Sequence, residues 1–499
     1  MKTCLTVLFA MCCLACIVNA QEYKRNNNWV TGFAPVIKLN FQVALSIDTF
    51  TLTTFTKSSS NISDTNGQFL FYSTGFSIMD KYSDTMNNGN YVNSPYGNVL
   101  ANYYGLSSLF DQTSIILPKK GNQYYVFSTG MSDSVANNYL NHVYTEFDVL
   151  NYSVVDMDSN NGKGKVVQKN VVLADKQHYY NTALQAVKHA NGKDWWLVKA
   201  DCSYNRYQEF LVKEDTILGP FYQYYQDTSS YCYWIGQLYF NQEGTKMACS
   251  NKGDRYYNNG IVGYVPTRVD IYDFNRCNGE LIHKKKYIVP YDTSTYPGND
   301  FKMGICFSPN SKLLYVSNTY SIYQIDLEDT NTNNAIFIHG PDTSDLSYFA
   351  WYHNMATAPD GKLYIGNYHS TRKYMSYIDK PNVKGLGCQF MPQGLWQPYT
   401  NLKSPPNMPN YGLGKDTTQV CWPLSNYAPE GQTDPWVVYP NPSHTLFYFK
   451  NKTGHRKYLY NTLGQLIRTT QSNEMDIRGV HPGVYYVQCD GETRKVIVE

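Results

Sequence analysis

Between about residues 22 and 410 the chain returns six times to one local theme, a polar turn leading into an apolar run and then a second strand-like run. The copies are Thr65-Asn66-Gly67-Gln68-Phe69-Leu70-Phe71-Tyr72, Lys120-Gly121-Asn122-Gln123-Tyr124-Tyr125-Val126-Phe127 and Asn191-Gly192-Lys193-Asp194-Trp195-Trp196-Leu197-Val198. They continue as Gln242-Glu243-Gly244-Thr245-Lys246-Met247-Ala248, Ser308-Pro309-Asn310-Ser311-Lys312-Leu313-Leu314-Tyr315-Val316 and Ala358-Pro359-Asp360-Gly361-Lys362-Leu363-Tyr364-Ile365. Turn positions 67, 121, 192, 244, 311 and 361 are separated by 54, 71, 52, 67 and 50 residues, the size of a four-stranded propeller blade plus variable loops. A unit of that size leaves both faces of its small sheet bare, so neighbours must stack around an axis to bury them. Roughly 390 residues at this period predict about seven blades.

The strands support an all-β fold. Leu313 to Ser317 pairs across a short turn with Ser321 to Leu327, Val269 to Phe274 alternates, and long helical periodicity is lacking. Six turns leave one blade to be closed by the chain ends, with the segments around Asn28 to Phe33 and Leu39 to Phe41 completing the ring. Closure removes the open sheet edges that invite aggregation.

The N-terminus has a signal-peptide layout over 1–20: Lys2, an apolar run from Leu5 to Val18, and Val18-Asn19-Ala20 ahead of Gln21. Cleavage after Ala20 is expected; Cys13-Leu14-Ala15-Cys16 is a poor lipoprotein box, because Cys13 stands where Leu is preferred. No later segment is apolar for long enough to cross a membrane as a helix. Without the signal the chain carries 41 basic and 40 acidic residues, and it lacks the basic cluster of a nucleic-acid binder. Only 16% of residues are charged whereas Tyr numbers 47, a balance that suits a β-rich extracellular protein. Eight cysteines remain, Cys202, Cys232, Cys249, Cys277, Cys306, Cys388, Cys421 and Cys489, irregularly spaced and without a CxxC pair. Export permits disulfides among them, their pairing stays open, and a structural zinc site is not expected.

Residues 436–499 form a second region, set off by a Pro-rich stretch over 414–435. It opens with Trp436-Val437-Val438-Tyr439-Pro440-Asn441-Pro442, continues through Tyr458 to Gln465, and closes with Pro482-Gly483-Val484-Tyr485-Tyr486-Val487 and Lys495 to Val498. About seven short strand-like runs separated by Gly, Asn and Pro predict a small two-sheet β-sandwich. Pro440 and Pro442 keep its start extended, and Gly464 and Gly483 fall at tight turns. This region resembles the type A C-terminal sorting domain of the type IX (Por) secretion system. The resemblance rests on Tyr439, Pro440, Asn441, Pro442, Gly464, Gly483, Tyr485 and Lys495. It implies passage across the outer membrane by the type IX machinery, removal of the tail, and release or surface attachment of the rest.

Residues 26 to 413 are similar to secreted propeller proteins of gliding, Bacteroidetes-type bacteria. The shared features are Trp29 near the mature start, Asn66 to Gly75, Met86-Asn87-Asn88-Gly89, Asn191 to Trp196, and Pro359 to Tyr364. Thr74 and Met79 depart from that pattern, where relatives place Asp and Trp, so ligand roles at those positions do not carry over. The resemblance implies fold and export, and no reaction.

No nucleophile elbow, P-loop, His-Glu-x-x-His pair or dinucleotide fingerprint occurs. Asp156 to Gly162 has the look of a calcium loop, but its glycine is one place late and no Glu closes it, so a solvated hairpin turn is expected. His178, His189, His353 and His369 read as scattered surface histidines and Asp326, Glu328 and Asp329 as a charged loop. No catalytic residue, metal ligand or cofactor is assigned. The better hint is aromatic: Trp195, Trp196, Trp234, Trp351 and Trp396 either fill gaps between blades or form stacking surfaces. Consecutive tyrosines cannot all point inward, so Tyr224, Tyr225, Tyr231, Tyr233 and Trp234 are the candidate ligand-binding aromatics.

The expectation is an all-β chain, a roughly seven-bladed β-propeller over 21–413 followed by a β-sandwich, acting outside the cell as a non-enzymatic binding or display module. Its expected partners are the type IX machinery and an extracellular glycan or protein, not nucleic acid. The competing expectation is a propeller hydrolase, lactonase or lyase with its site at the central channel, betrayed by acid, histidine or asparagine side chains converging there.

Overall fold

The computed structural model describes residues 22–32, 36–51, 59–92, 112–132, 134–135, 147–177, 179, 183–201, 205–224, 235–251, 254–258, 261–265, 268–289, 304–318, 320–329, 335–340, 351–367, 373–399, 404–418, 421, 437–450, 454–462, 464–489 and 492–499. The chain divides into two compact units, Met1–Cys421 and Trp422–Glu499.

Among the described residues the first unit contains seven antiparallel sheets of three or four strands, taken in chain order, and one separate two-stranded hairpin that interrupts the fifth. Blade 1 is Asn28–Gly32, Val36–Asn40 and Ser46–Thr51; blade 2 is Ser60–Ser63, Phe69–Ser73 and Ile78–Asp80. Blade 3 is Ser114–Pro118, Gln123–Gly130, Val149–Asp156 and Lys165–Ala174; blade 4 is Leu184–Lys188, Trp195–Asp201, Arg206–Val212 and Ile217–Tyr224. Blade 5 is Ile235–Phe240, Lys246–Asn251, Arg268–Phe274 and Leu281–Ile288, with a hairpin, Asp254–Asn258 and Ile261–Val265, inserted between its second and third strands. Blade 6 is Ile305–Phe307, Leu313–Asn318, Ser321–Asp326 and Ile336–His339, and blade 7 is Tyr352–Thr357, Leu363–Asn367, Tyr374–Ile378 and Phe390–Trp396. From blade 1 to blade 7 the first strand of one blade lies beside the first strand of the next, so these strands surround the axis. Trp29, Ile37, Leu39 and Phe41 of blade 1 pack with Ala356, Ala358, Tyr364 and Met375 of blade 7 and close the ring. The unit is a seven-bladed β-propeller.

The six recurring turns share one place in the design, joining the innermost strand of a blade to its second strand. In five of them the same residue donates its amide three residues back, as in Gly67 to Asp64 O (3.0 Å), Gly244 to Asn241 O (3.0 Å) and Gly361 to Ala358 O (3.0 Å). That residue has φ of +68° to +87° where it is glycine and +58° at Ser311, a conformation that costs a side chain free energy but not glycine. The sequence repeat is therefore a backbone requirement repeated around the ring.

Between blades, alternation along each strand sends side chains to opposite neighbours. Trp195 and Leu197 join the core shared with blade 3, whereas the Trp196 indole N–H reaches Arg276 O of blade 5 at 3.0 Å. Trp195 is 3% and Trp196 0% exposed, so both fill gaps between blades.

The second unit is a seven-stranded sandwich. Val437–Tyr439, Leu446–Lys450 and Glu474–Asp476 form one sheet; Leu466–Thr470, Lys457–Asn461, Gly483–Cys489 and Glu492–Val498 form the other. Phe447, Phe449, Leu459, Met475, Val487, Val496 and Val498 alternate inward into its core, while Tyr448 between two of them stays exposed.

Candidate functional site

The central channel is where a propeller brings distant residues together, and here the chain itself enters it. Pro405, Pro406 and Pro409 keep residues 404–410 out of regular secondary structure, and the segment passes inside the ring, in contact with the innermost strands. At one end the buried His353 Nδ1 pairs with Ser404 Oγ at 2.7 Å. Asn407 then ties three blades at the starts of their innermost strands: its amide donates to Ser59 O at 2.7 Å, and its side-chain NH2 to Ser114 O (3.0 Å) and Leu184 O (2.9 Å). Its side-chain oxygen accepts from Gln112 Nε2 and Gln185 Nε2, both at 3.2 Å. Further along, Tyr411 OH donates to Ile116 O at 2.7 Å and its ring meets Trp195 edge-on, 5.8 Å between centroids. Asn410 Nδ2 donates to Gln242 O at 2.9 Å. The segment leaves past the recurring turns, where Asp416 N donates to Ala190 O (2.8 Å), and Cys421 is disulfide-bonded to Cys277 of blade 5.

Gln237, on the first strand of blade 5, does for blades 5 to 7 what Asn407 does for blades 2 to 4, and Gln112, just ahead of the first strand of blade 3, reaches across to blade 5. Gln237 accepts from Ile305 N and Met355 N, each at 3.0 Å, and donates to Met355 O at 2.8 Å. Gln112 bridges to Leu238 through both amide atoms, at 2.9 and 3.0 Å. Beside the segment remains a cavity of about 50 Å³ walled by Tyr23, Trp29, Gln185, Tyr239, Thr357 and Asn410 among others. The described residues lining it offer amides, hydroxyls, rings and aliphatic groups, and none is Asp, Glu, Lys, Arg, His or Cys. Burial raises the Tyr239 phenol well above its usual range, so it stays neutral and acts as a hydrogen-bonding group. Such a lining can hold a polar group by hydrogen bonds, but it supplies no carboxylate or imidazole for acid–base catalysis.

Ionisable groups are buried elsewhere, between blades. Lys199 lies 4.3 Å from the Tyr179 ring centroid and donates to Ala200 O at 2.9 Å; burial lowers its pKa to about 7 against the opposing pull of Asp201. Asp201 is wholly buried and accepts from Arg206 Nε (2.9 Å) and Gln208 Nε2 (3.0 Å). Glu209 is 1% exposed, and burial raises its pKa well above the carboxylate range, with a Gln223 hydrogen bond opposing. No group of three or more metal-ligating side chains occurs among the described residues.

Of the candidate aromatics, Tyr224 ends the outer strand of blade 4 and is 57% exposed; Tyr225, Tyr231, Tyr233 and Trp234 lie outside the described residues. Trp396 is exposed beside its cross-strand partner Tyr374. His189 and His353 are buried, not on the surface. His189 Nε2 donates to Cys277 O (2.9 Å) while Nδ1 accepts from Asn191 N (3.0 Å); His178 and His369 lie outside the described residues. Thr74 caps its own turn by accepting from Ser77 N at 3.0 Å, and Met79 is core. The pivotal Asn407, Gln112, Gln185 and Gln237 were not singled out from the sequence. Their one signal was the run Pro405-Pro406-Asn407-Met408-Pro409-Asn410, too proline-rich for a strand interior.

In the sandwich, Asn441 binds the last strand as a backbone would: its side chain donates to Lys495 O (3.0 Å) and accepts from Ile497 N (2.8 Å). Ser443 N donates to Ile497 O and Glu499 N to Ser443 O, both at 3.0 Å. The loop that begins the domain thus covers the open edge of its final strand. The flanking Tyr439–Pro440 and Asn441–Pro442 bonds are cis, and Gly464 and Gly483 have φ of +79° and +155°. Tyr485 packs in the core and its OH donates to His481 O at 2.8 Å.

Residues 437–499 match the family described as the secretion system C-terminal sorting domain, Por_Secre_tail. The chain is therefore a β-propeller carrying a Por sorting tail, which marks it for handling by the type IX machinery and for secretion or the cell surface. Among the described residues no helix is long and apolar enough to cross a membrane. None of the curated proteins matches in sequence. Solved structures similar to this chain include a candidate 6-phosphogluconolactonase from Bacteroides fragilis, 12% identical over 76% of this chain and 97% of that one, TM-score 0.43. The periplasmic gluconolactonase PpgL of Pseudomonas aeruginosa is 8% identical over 76% and 97%, TM-score 0.35. The β-propeller domain of Cps50 from Myceliophteria thermophila is 11% identical over 68% and 90%, TM-score 0.37.

Proposed function

We propose that this chain is an exported binding or display propeller that meets a glycan or protein partner through its outer surface and not through its channel. In this reading residues 1–20 are the signal peptide, 21–413 the propeller, 414–435 a linker held to the propeller as far as Cys421, and 436–499 the sorting domain. The single observation that carries it is the occupation of the axis by residues 404–411, with Asn407 bonded to blades 2, 3 and 4. A channel enzyme needs that space for substrate, together with paired acid and base groups. An outer surface needs exposed aromatic or amide side chains on a rigid frame, because Tyr and Trp offer a flat apolar face with a polar handle at small entropic cost. Tyr224, Tyr225, Tyr231, Tyr233 and Trp234 are the proposed contact residues.

The test is a screen of the purified protein against glycan and protein arrays, in parallel with release of reducing sugar or acid from extracellular polymers and lactones. Saturable binding weakened by replacing Tyr224, Tyr225, Tyr231, Tyr233 and Trp234 with Ala supports the proposal. Turnover abolished by a channel substitution such as Gln185→Ala would refute it.

A further inference from the structure

The disulfide lies where the threaded segment leaves the ring, ahead of the sorting domain, and its anchor is unusually well tied. Cys277 sits in the turn between the third and fourth strands of blade 5. Its neighbour Arg276, 5% exposed, donates through Nε to Lys188 O (2.9 Å) and through Nη2 to His189 O (3.3 Å) and to Gly414 O of the departing segment (2.6 Å). Arg276 O accepts from the Trp196 indole at 3.0 Å and from Ala190 N at 3.0 Å, and Cys277 O accepts from His189. The turn that carries Cys277 is therefore stitched to blade 4 by five hydrogen bonds besides belonging to blade 5. The threaded segment, by contrast, is held in the channel by hydrogen bonds and packing alone.

We propose that Cys277–Cys421 is a strain-relief clamp: tension applied to the chain beyond residue 421 passes into the joint between blades 4 and 5 and does not draw residues 404–418 out of the channel. This rests on the tail being the handle by which the protein is exported, since that is when its C-terminal side is pulled. Without the clamp, force would act along the segment axis and break its bonds one after another from Asp416 back to Asn407. With it, the covalent bond ends the path at blade 5, and extension requires the blade itself to unfold.

Single-molecule pulling on the full chain, with one attachment in the surface turn at Asn122 and the other after Glu499, tests this without reference to export. In the oxidised protein, no extension step attributable to residues 407–421 should precede propeller unfolding. After reduction of the already folded protein, and in the Cys277→Ser/Cys421→Ser double variant, an added early step is expected, with an upper bound of roughly 50 Å set by 14 residues at about 3.4 Å each less the span they already cover. The step should shift to lower force when Asn407→Ala is added to the double variant. The same early step with the disulfide intact would overturn the proposal, as would no such step after reduction. Loss of the propeller's cooperative unfolding on reduction would overturn it too, by showing that the disulfide holds the ring. Failure of the tail as an export signal would instead show as normal secretion of a chain ending at Pro435, which leaves the pulling result untouched.

Discussion

Replacing Asn407 by Ala should be the most damaging single change in the threaded segment. The side chain makes four hydrogen bonds inside a site where it is itself 7% exposed. Gln112 Nε2 retains its bond to Leu238 O, so the groups stripped of this partner are Ser114 O, Leu184 O and Gln185 Nε2. A buried group left unsatisfied costs about 1–3 kcal/mol. Three of them, less what an entering water recovers, give an expected loss of about 3–5 kcal/mol in propeller stability, well above the usual point-mutant effect. Asn410→Ala is the control, removing the bond to Gln242 O and the one accepted from Gly412 N and costing about 1–2 kcal/mol. The assay is equilibrium urea unfolding followed by tryptophan emission, with calorimetry to separate the propeller transition from that of the sandwich. A midpoint shift no larger than that of Asn410→Ala, with the slope unchanged, would refute the claim that the segment holds the blades together.

Other consequences are open to direct measurement. Asn441→Ala removes both side-chain bonds to the final strand and should destabilise the sandwich by about 1–2 kcal/mol, read as faster proteolysis of residues 437–499 in the intact chain and a lower secreted fraction. Lys199, held near pKa 7 by burial, binds fewer protons folded than unfolded. Its contribution is therefore complete above its ordinary pKa and is lost as pH falls towards 7, by about 1 kcal/mol per pH unit. Lys199→Met should flatten the stability profile between pH 7 and 10, and an unchanged slope would contradict the assignment. Glu209 has the opposite sign: its folded pKa is raised, so its contribution is complete at low pH and lost as pH climbs from the ordinary carboxylate range through the folded value. Glu209→Gln should accordingly stabilise the protein at pH 8 more than at pH 4, as urea midpoints at the two values would reveal.

The fold was legible because its determinants are local and repeated. Gly67, Gly121, Gly192, Gly244 and Gly361 recur where the backbone turns from an inner to a second strand, and Ser311 takes the same conformation without glycine. The sandwich announced itself through alternation such as Leu446-Phe447-Tyr448-Phe449, in which Phe447 and Phe449 point inward. The channel was not legible in the same way. Asn407 meets Ser114 and Leu184 across separations of 293 and 223 residues, and no local pattern marks an asparagine as the partner of three blades. The histidines misled for a related reason: His353 reads as a surface histidine in the sequence, yet it is buried on the first strand of blade 7, where Ser404, 51 residues on, meets its Nδ1. The Cys277–Cys421 pair, 144 residues apart, was one of many pairings the cysteine count permitted.

The most direct measurement is a crystal structure of the intact chain at a resolution that orients side-chain amides. The account predicts continuous density for residues 404–411 along the propeller axis, with the Asn407 side-chain nitrogen within hydrogen-bond distance of both Ser114 O and Leu184 O. A solvent-filled axis, with that segment lying outside the ring, would contradict it and return the channel to consideration as a reaction site.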